Sequence, residues 1–142
     1  MNVKLVETDT ELNDAAQVLL QLRPTYTLDT IIAQIQHQQT LGYQLAIVTL
    51  ENRVISVAGF VVTQKLAWKK HMYVDDLVTD ENTRSMGAGK AIIDFLKEHA
   101  RGLGCSELHL DSGMQRKDAH RFYDREGFER TGYHFAVMSL DA

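Results

Sequence analysis

The chain has 142 residues, enough for one sizeable core, which sets the expectation of a single domain over 1–142. Its 44% hydrophobic and 24% charged residues are ordinary for a soluble domain, and a net charge of −4 argues against general binding to nucleic acid or an anionic membrane. There is no apolar run of the roughly 18 residues that a membrane span needs, and no signal-like start; with Cys105 as the lone cysteine, a reducing, cytoplasmic setting is expected.

Val3 and Leu5 alternate in a short first strand. Thr8-Asp-Thr-Glu11 reads as a capping box, and Leu12, Ala15, Ala16, Leu19 and Leu22 follow at helical spacing until Pro24 stops the helix. A second helix is expected from near Thr27, burying Leu28, Ile31, Ile32 and Ile35, with its glutamines solvated and Gly42 closing it. Tyr43 to Leu50 and Val54 to Thr63 are predicted strands joined by Glu51-Asn-Arg53, with Gly59 weakening the second or marking a bulge. Trp68, in the loop Lys65 to Lys70, is either a pocket rim or half-buried packing. A buried strand is expected over His71 to Val78, then a polar turn and an amphipathic helix from Gly87 to Arg101 that buries Ala88, Ile92, Phe95, Leu96 and Ala100. Ser106 to Asp111 is the next strand, whose parallel return implies a right-handed crossover. Ala119, Phe122, Tyr123 and Glu126 stripe a last helix ending at Gly127, and Tyr133, Phe135 and Val137 alternate in a final strand. The order β-α-α-β-β-β-α-β-α-β describes an α/β fold, a mixed central sheet with helices on both faces.

The junction Arg84-Ser-Met-Gly87-Ala-Gly89-Lys90 places a glycine-rich turn at a helix N-terminus. Unpaired N–H groups and the positive end of the helix dipole converge there, which suits a phosphate or pyrophosphate. A P-loop fails because Arg84 stands where its first glycine belongs and Ala91 follows Lys90; a dinucleotide fingerprint fails because Ile92 replaces its third glycine. The remaining Arg-x-x-Gly-x-Gly resembles the acetyl-CoA pyrophosphate loop of the GNAT superfamily of N-acetyltransferases. Further on, Ala119, Phe122, Tyr123, Gly127 and Phe128 match that superfamily's Ala-x-x-Phe-Tyr-x-x-x-Gly-Phe pattern. Two motifs in order, on the expected elements, are far more specific than either alone. Motif resemblance covers about Val57 to Phe135, and the N-terminal β-α-α segment resembles the family in architecture only.

The resemblance implies a GNAT-like fold and an acetyl-CoA co-substrate. Its pantetheine would pair with backbone groups of Leu77, Val78 and Thr79, and its pyrophosphate would sit on the amides of Ser85, Met86, Gly87, Ala88, Gly89 and Lys90, with Arg84 leading the loop. Family members often carry Asn three residues before the helix alanine; Arg116 stands there instead, and charge pairing with a phosphate is the available substitute.

The implied reaction is direct attack of a primary amine on the thioester through a tetrahedral intermediate. An amine with a pKa of about 10.4 must lose a proton, the oxyanion needs donors such as the Leu77 and Val78 amides, and the thiolate benefits from an acid. Tyr123 matches the family's general-acid tyrosine; otherwise it is a core residue of its helix. On an uninterrupted strand His71, Tyr73 and Asp75 share one face and Met72, Val74 and Asp76 the other. Asp75 is the preferred base over His71, with simple binding of a cationic amine as its other role, while Asp76, facing the other way, is read as a helix-cap or structural acceptor. No metal-ligand spacing is present among the histidines. The acceptor would be a small-molecule amine or a protein lysine, with no nucleic-acid or membrane partner. The rival reading is a non-catalytic acyl-CoA-binding regulatory module on the same fold. The final strand, with Tyr133 and Phe135, offers an edge for a possible homodimer.

Overall fold

The computed structural model describes residues 1–141, which divide into two compact units, the first Met1–Leu110 and the second beginning at Asp111. The first holds β1 (Asn2–Leu5), α1 (Asp9–Leu22), α2 (Leu28–Gln39), β2 (Gln44–Leu50), β3 (Arg53–Lys65), β4 (Lys69–Thr79), a short 3₁₀ turn (Glu81–Thr83), α3 (Ala88–Gly102) and β5 (Glu107–Leu110). The second holds α4 (Lys117–Arg125). The five strands form one mixed sheet in the order β1-β2-β3-β4-β5, antiparallel throughout except for the parallel pair β4–β5.

Local chemistry sets the helix boundaries. Thr8 accepts from the Glu11 amide, the Glu11 carboxylate accepts from the Thr8 amide, and α1 starts there as its capping box predicts. Thr27 and Thr30 cap α2 in the same reciprocal way. The hairpin between β2 and β3 is tighter than expected: Glu51 and Asn52 both take positive φ, 51° and 63°, as a two-residue turn with right-handed twist requires.

Side-chain alternation places a core on each face of the sheet. Leu45, Ile47 and Val57 cluster with Leu12, Ala16, Leu19, Ile31 and Ile35 of α1 and α2, with Val61 and Val78 packed against them. Phe60, next to Val61 and so on the opposite face, meets His99 of α3 edge-on at 5.8 Å between ring centroids. Helix α3 buries Ile93 as well as the expected Ala88, Ile92, Leu96 and Ala100, whereas Phe95 is only half-buried and stacks on His99.

The main irregularity lies between β3 and β4. Gly59 pairs with Asp76 and Phe60 with Val74, so Asp75 is an extra residue with no partner in β3. The bulge thus sits on β4, opposite the glycine and not in the strand that carries it. It also resets the alternation. Tyr73 opposes Val61, which packs on the α1–α2 cluster, and Asp76 bonds to Tyr43, a member of that cluster. Asp76 therefore shares the face of Tyr73, contrary to the expectation from an uninterrupted strand.

In the second unit the expected final strand is not formed. Residues 128–141 hold no helix or strand, and Tyr133, Phe135, Val137, Met138 and Leu140 are exposed. Their alternation supplies side chains for one face, but a strand exists only through ladder bonds to a neighbour, and the segment makes none.

Gly59 is required by what lies over it. A Cβ built there falls 1.7 Å from the Tyr43 hydroxyl oxygen and 2.3 Å from its Cζ, and Tyr43 is itself buried. Gly59→Ala should lower unfolding free energy by about 1–3 kcal/mol in urea denaturation. The Gly59→Ala/Tyr43→Ala pair should lose clearly less than the sum of its single changes. Additive losses would show that the Tyr43 ring does not impose the glycine.

Candidate active site

Three features of the first unit converge on β4 and the turn that follows it. The first is the bulge and its fastening. The Tyr43 hydroxyl donates to Asp76 Oδ2 at 2.6 Å, and Arg23 grips Asp76 Oδ1 through Nε at 3.0 Å and Nη2 at 2.8 Å. The same Nη2 donates to the Asp75 backbone carbonyl at 3.2 Å. Both Asp76 oxygens are thus engaged, while Asp75 is an exposed residue whose carboxyl is partly withdrawn from water. Burial of its carboxyl and the neighbouring Asp76 charge raise the Asp75 pKa above the ordinary aspartate value, and the Arg23 guanidinium opposes them. The Tyr43 phenol is pushed far up by its burial and then by Asp76, so it stays a proton donor. Arg23 and Tyr43 were not singled out by sequence reasoning. Their only trace there is Gly59, the vacancy that a ring over a strand needs.

The second feature is a parting of strands. β5 pairs with β4 only from His71 to Val74, whereas β4 continues to Thr79 paired to β3 alone. The other edge of residues 75–79 faces no strand among the described residues, so Leu77, Val78 and Thr79 lie on an open backbone edge. Ser56 steadies this segment from β3, donating to the Val78 carbonyl at 3.1 Å and lying 3.1 Å from the Thr79 hydroxyl.

The third is the turn from Arg84 to Lys90. Asp80 accepts from the Asn82 amide at 3.1 Å and fixes the entry to the 3₁₀ turn. Ser85 and Gly87 take left-handed φ of 68° and 84°, and Gly87 begins α3 without any side-chain cap. A Cβ on Gly87 would meet nothing within 4 Å, so the space beside these amides is open. Arg84, Ser85, Met86 and Gly87 are exposed, Ala88 is buried, and Lys90 pairs with Asp94 at 3.2 Å. An uncapped helix start with open space beside it fits a phosphate, and the unpaired strand edge leading to it fits an extended amide-bearing chain.

His71 occupies a different place. It is buried, its Nδ1–H donates to the Lys69 carbonyl at 2.9 Å, and Trp68 meets its ring edge-on at 5.0 Å. Trp68 stacks on His109 at 3.4 Å between centroids, with Lys65 Nζ 3.5 Å from the Trp68 ring centre. Trp68 is thus packing, and His71 belongs to that packing. Six residues of extended strand, about 20 Å, separate His71 from Leu77. Asp75 lies nearer than His71 to an acetyl group placed beside Leu77.

In the second unit Tyr123 lies on α4 between Phe122 and Phe128, edge-on to both at 5.4 and 5.6 Å. Gly127, at φ 92°, reverses the chain so that the Phe128 amide donates to the Tyr123 carbonyl at 3.0 Å. This is the physical content of the Phe-Tyr-x-x-x-Gly-Phe spacing. Burial raises the Tyr123 pKa, and the Arg116 charge, at the N-cap of α4, partly offsets it. His120 ties the preceding loop, its Nε2–H donating to the Gly113 carbonyl at 2.8 Å.

Comparison with known proteins agrees with this architecture. The chain is 29% identical over 137 residues to the uncharacterized N-acetyltransferase YhdJ of Bacillus subtilis (strain 168), covering 95% of this chain and 96% of that one. It is 32% identical over 62 residues to the aminoalkylphosphonate N-acetyltransferase of Salmonella typhimurium, 44% of this chain and 40% of the relative. Among solved structures, an aminoglycoside N-acetyltransferase, AAC(6')-Iy in complex with CoA, superposes with a TM-score of 0.85 over 98% of this chain and 94% of that one, at 16% identity. The model of the acetyltransferase (GNAT) family matches residues 8–128, and the chain belongs to that family.

Proposed function

We propose that the chain is an N-acetyltransferase that moves an acetyl group from acetyl-CoA to a primary amine. The observation that carries this reading is the open edge of β4 running into an uncapped, glycine-opened helix start. Acetyl-CoA has both matching parts, an amide-bearing arm and a pyrophosphate. Leu77, Val78 and Thr79 hold the arm, and the amides from Ser85 to Lys90 hold the pyrophosphate, with Arg84 and Arg116 supplying positive charge. The co-substrate brings an acetyl group activated as a thioester.

The protein's own residues manage protons and charge. Asp75 receives the proton that the attacking amine must lose; a carboxyl raised above its ordinary value is better suited to that task than a free one. Backbone N–H groups at Leu77 and Val78 donate to the carbonyl oxygen as it gains charge. Tyr123, a phenol already protonated at neutral pH and pushed further up by burial, gives its proton to the departing sulfur. The exposed Asp75 carboxylate also favours a cationic acceptor. A small-molecule amine is the preferred class, supported by relatives named for aminoalkylphosphonate and for glucosamine 6-phosphate. Release of free CoA across an amine panel, with a protein lysine substrate included, identifies the acceptor; no release with any amine would leave a silent acyl-CoA-binding module. The exposed apolar residues from Tyr133 to Leu140 support a homodimer in which this segment finds its partner strand. Light scattering at micromolar concentration should give twice the chain mass, and a monomer mass would dismiss the dimer.

Acetyl-CoA should raise the melting temperature, because a ligand of the folded state stabilises it by RT ln(1 + [L]/Kd). Gly87→Val, which fills the open space beside the amides and strains a left-handed backbone, should abolish that rise; a full rise in the folded variant would refute the pyrophosphate site.

Tyr123→Phe keeps the ring packing and removes only the hydroxyl. Its kcat should fall about 10²–10⁴-fold with acetyl-CoA binding nearly unchanged. A kcat within about threefold of the parent would reduce Tyr123 to a packing residue.

A further inference from the structure

The Arg23–Asp76–Tyr43 cluster is too specific in geometry to be a surface ion pair. Arg23 is the C-cap residue of α1, and its α1–α2 connection reaches across to the one place where β4 is irregular. It makes three hydrogen bonds there, two to the Asp76 carboxylate and one to the carbonyl of the bulged residue itself. Tyr43 takes the other Asp76 oxygen, and Gly59 makes room for Tyr43. The Asp76 side chain is 15% exposed and that of Arg23 47%, so the carboxylate end of the pair is withdrawn from water while the guanidinium stays at the surface.

We propose that Arg23 is a positioning residue for the acetyl-transfer reaction: it fastens the β4 bulge and supplies the positive charge that lets Asp75 remain an ionised, outward-facing base directly beside Asp76. This rests on the reading of Asp75 as the proton acceptor. Two adjacent carboxylates repel, and without a counter-charge each is more easily protonated. Among the described residues, the charged and titratable groups that act on Asp75 are Asp76 on its own strand and Arg23 from the end of α1, with the neutral Tyr43 phenol beside them. Gly59 and Phe60, which oppose the bulge from β3, carry no charge. Arg23 cancels Asp76, and what the site presents outward is the single charge of Asp75.

The two partners therefore move Asp75 in opposite directions, which a purely structural role cannot mimic. Arg23→Gln removes the stabilising charge and should shift Asp75 ionisation to higher pH. Asp76→Asn removes the repelling charge while Arg23 remains, and should shift it to lower pH. The double variant should return close to the parent, and Arg23→Lys, which keeps the charge, should stay close to it.

The direct measurement is an NMR pH titration of the Asp75 carboxyl carbon in the parent and these four variants, which needs no substrate. A titration midpoint does not depend on what fraction of a destabilised sample is folded, provided folded signals are seen. If Arg23→Gln is too unstable to observe, Asp76→Asn and Arg23→Lys alone test the same signs. Midpoints that fail to move, that move the same way in Arg23→Gln and Asp76→Asn, or that move in Arg23→Lys as in Arg23→Gln, overturn the proposal.

Turnover then separates the two claims. With the amine that the panel identifies, Arg23→Gln should move the acid limb of kcat/KM to higher pH, so that its loss relative to the parent grows as pH falls and closes as pH rises. Asp75→Asn should erase the acid limb. If the midpoints shift as expected but Asp75→Asn keeps the parental profile, Asp75 is not the base and the reading beneath the proposal fails. If Asp75→Asn erases the limb and Arg23→Gln leaves it in place, the role of Arg23 alone is refuted.

Discussion

The face of the sheet that meets α1 and α2 depends on the extra residue that Asp75 inserts into β4. In a regular antiparallel ladder, neighbouring carboxylates at 75 and 76 would point to opposite faces, one of them into the core beneath α3. A buried ionised carboxylate there would face a desolvation cost that no partner in that apolar layer offsets. The bulge removes the conflict by turning Asp76 toward Tyr43 and Arg23, where both of its oxygens find donors. Beyond the bulge, Leu77 opposes Ala58 and Val78 packs toward α1, so the apolar alternation resumes on the faces that need it.

Much of the architecture was legible in the sequence because its signals are local. Thr8-x-x-Glu11 and Pro24 bracket α1, and the Leu, Ile and Ala spacings mark the buried stripes of α1, α2 and α3. Gly87 and Gly89 announce a helix start that side chains leave open. The glycine turn and the Phe-Tyr-x-x-x-Gly-Phe helix pointed to the family through backbone requirements, namely left-handed φ at Gly87 and at Gly127. The bulge was not legible, since nothing in His71 to Thr79 distinguishes one extra residue from regular alternation. Gly59 marked the irregularity, since the register shifts between Gly59 and Phe60, but the extra residue itself sits opposite, on β4, while the glycine serves the ring above it. The final strand was over-read for a related reason: alternation at Tyr133, Phe135 and Val137 specifies a face, but pairing requires a neighbour that no single segment encodes.

The open backbone edge and the α3 N-terminus share one physical character. Each is a row of peptide groups whose usual partner is withheld, in one case by the early end of β5 and in the other by a glycine where a capping side chain would stand. Water can serve such groups in the free protein, and a ligand with complementary amides and phosphates replaces that water without rearranging the chain. Recognition built from main-chain groups is also tolerant of side-chain change. That tolerance fits a fold retained at 16% identity to a structural relative.

The aromatic packing at the far end of β4 sets the cost of using that edge. Trp68 stacked on His109 and crossed by His71 ties the β3–β4 hairpin to β5 on the closed side of the parting. Like a rivet, it fastens the short β4–β5 pair from which the open edge of β4 runs on. The conformational entropy of fixing that end of β4 is therefore spent when the protein folds, and the unpaired edge of residues 75–79 is presented from a strand already held in place.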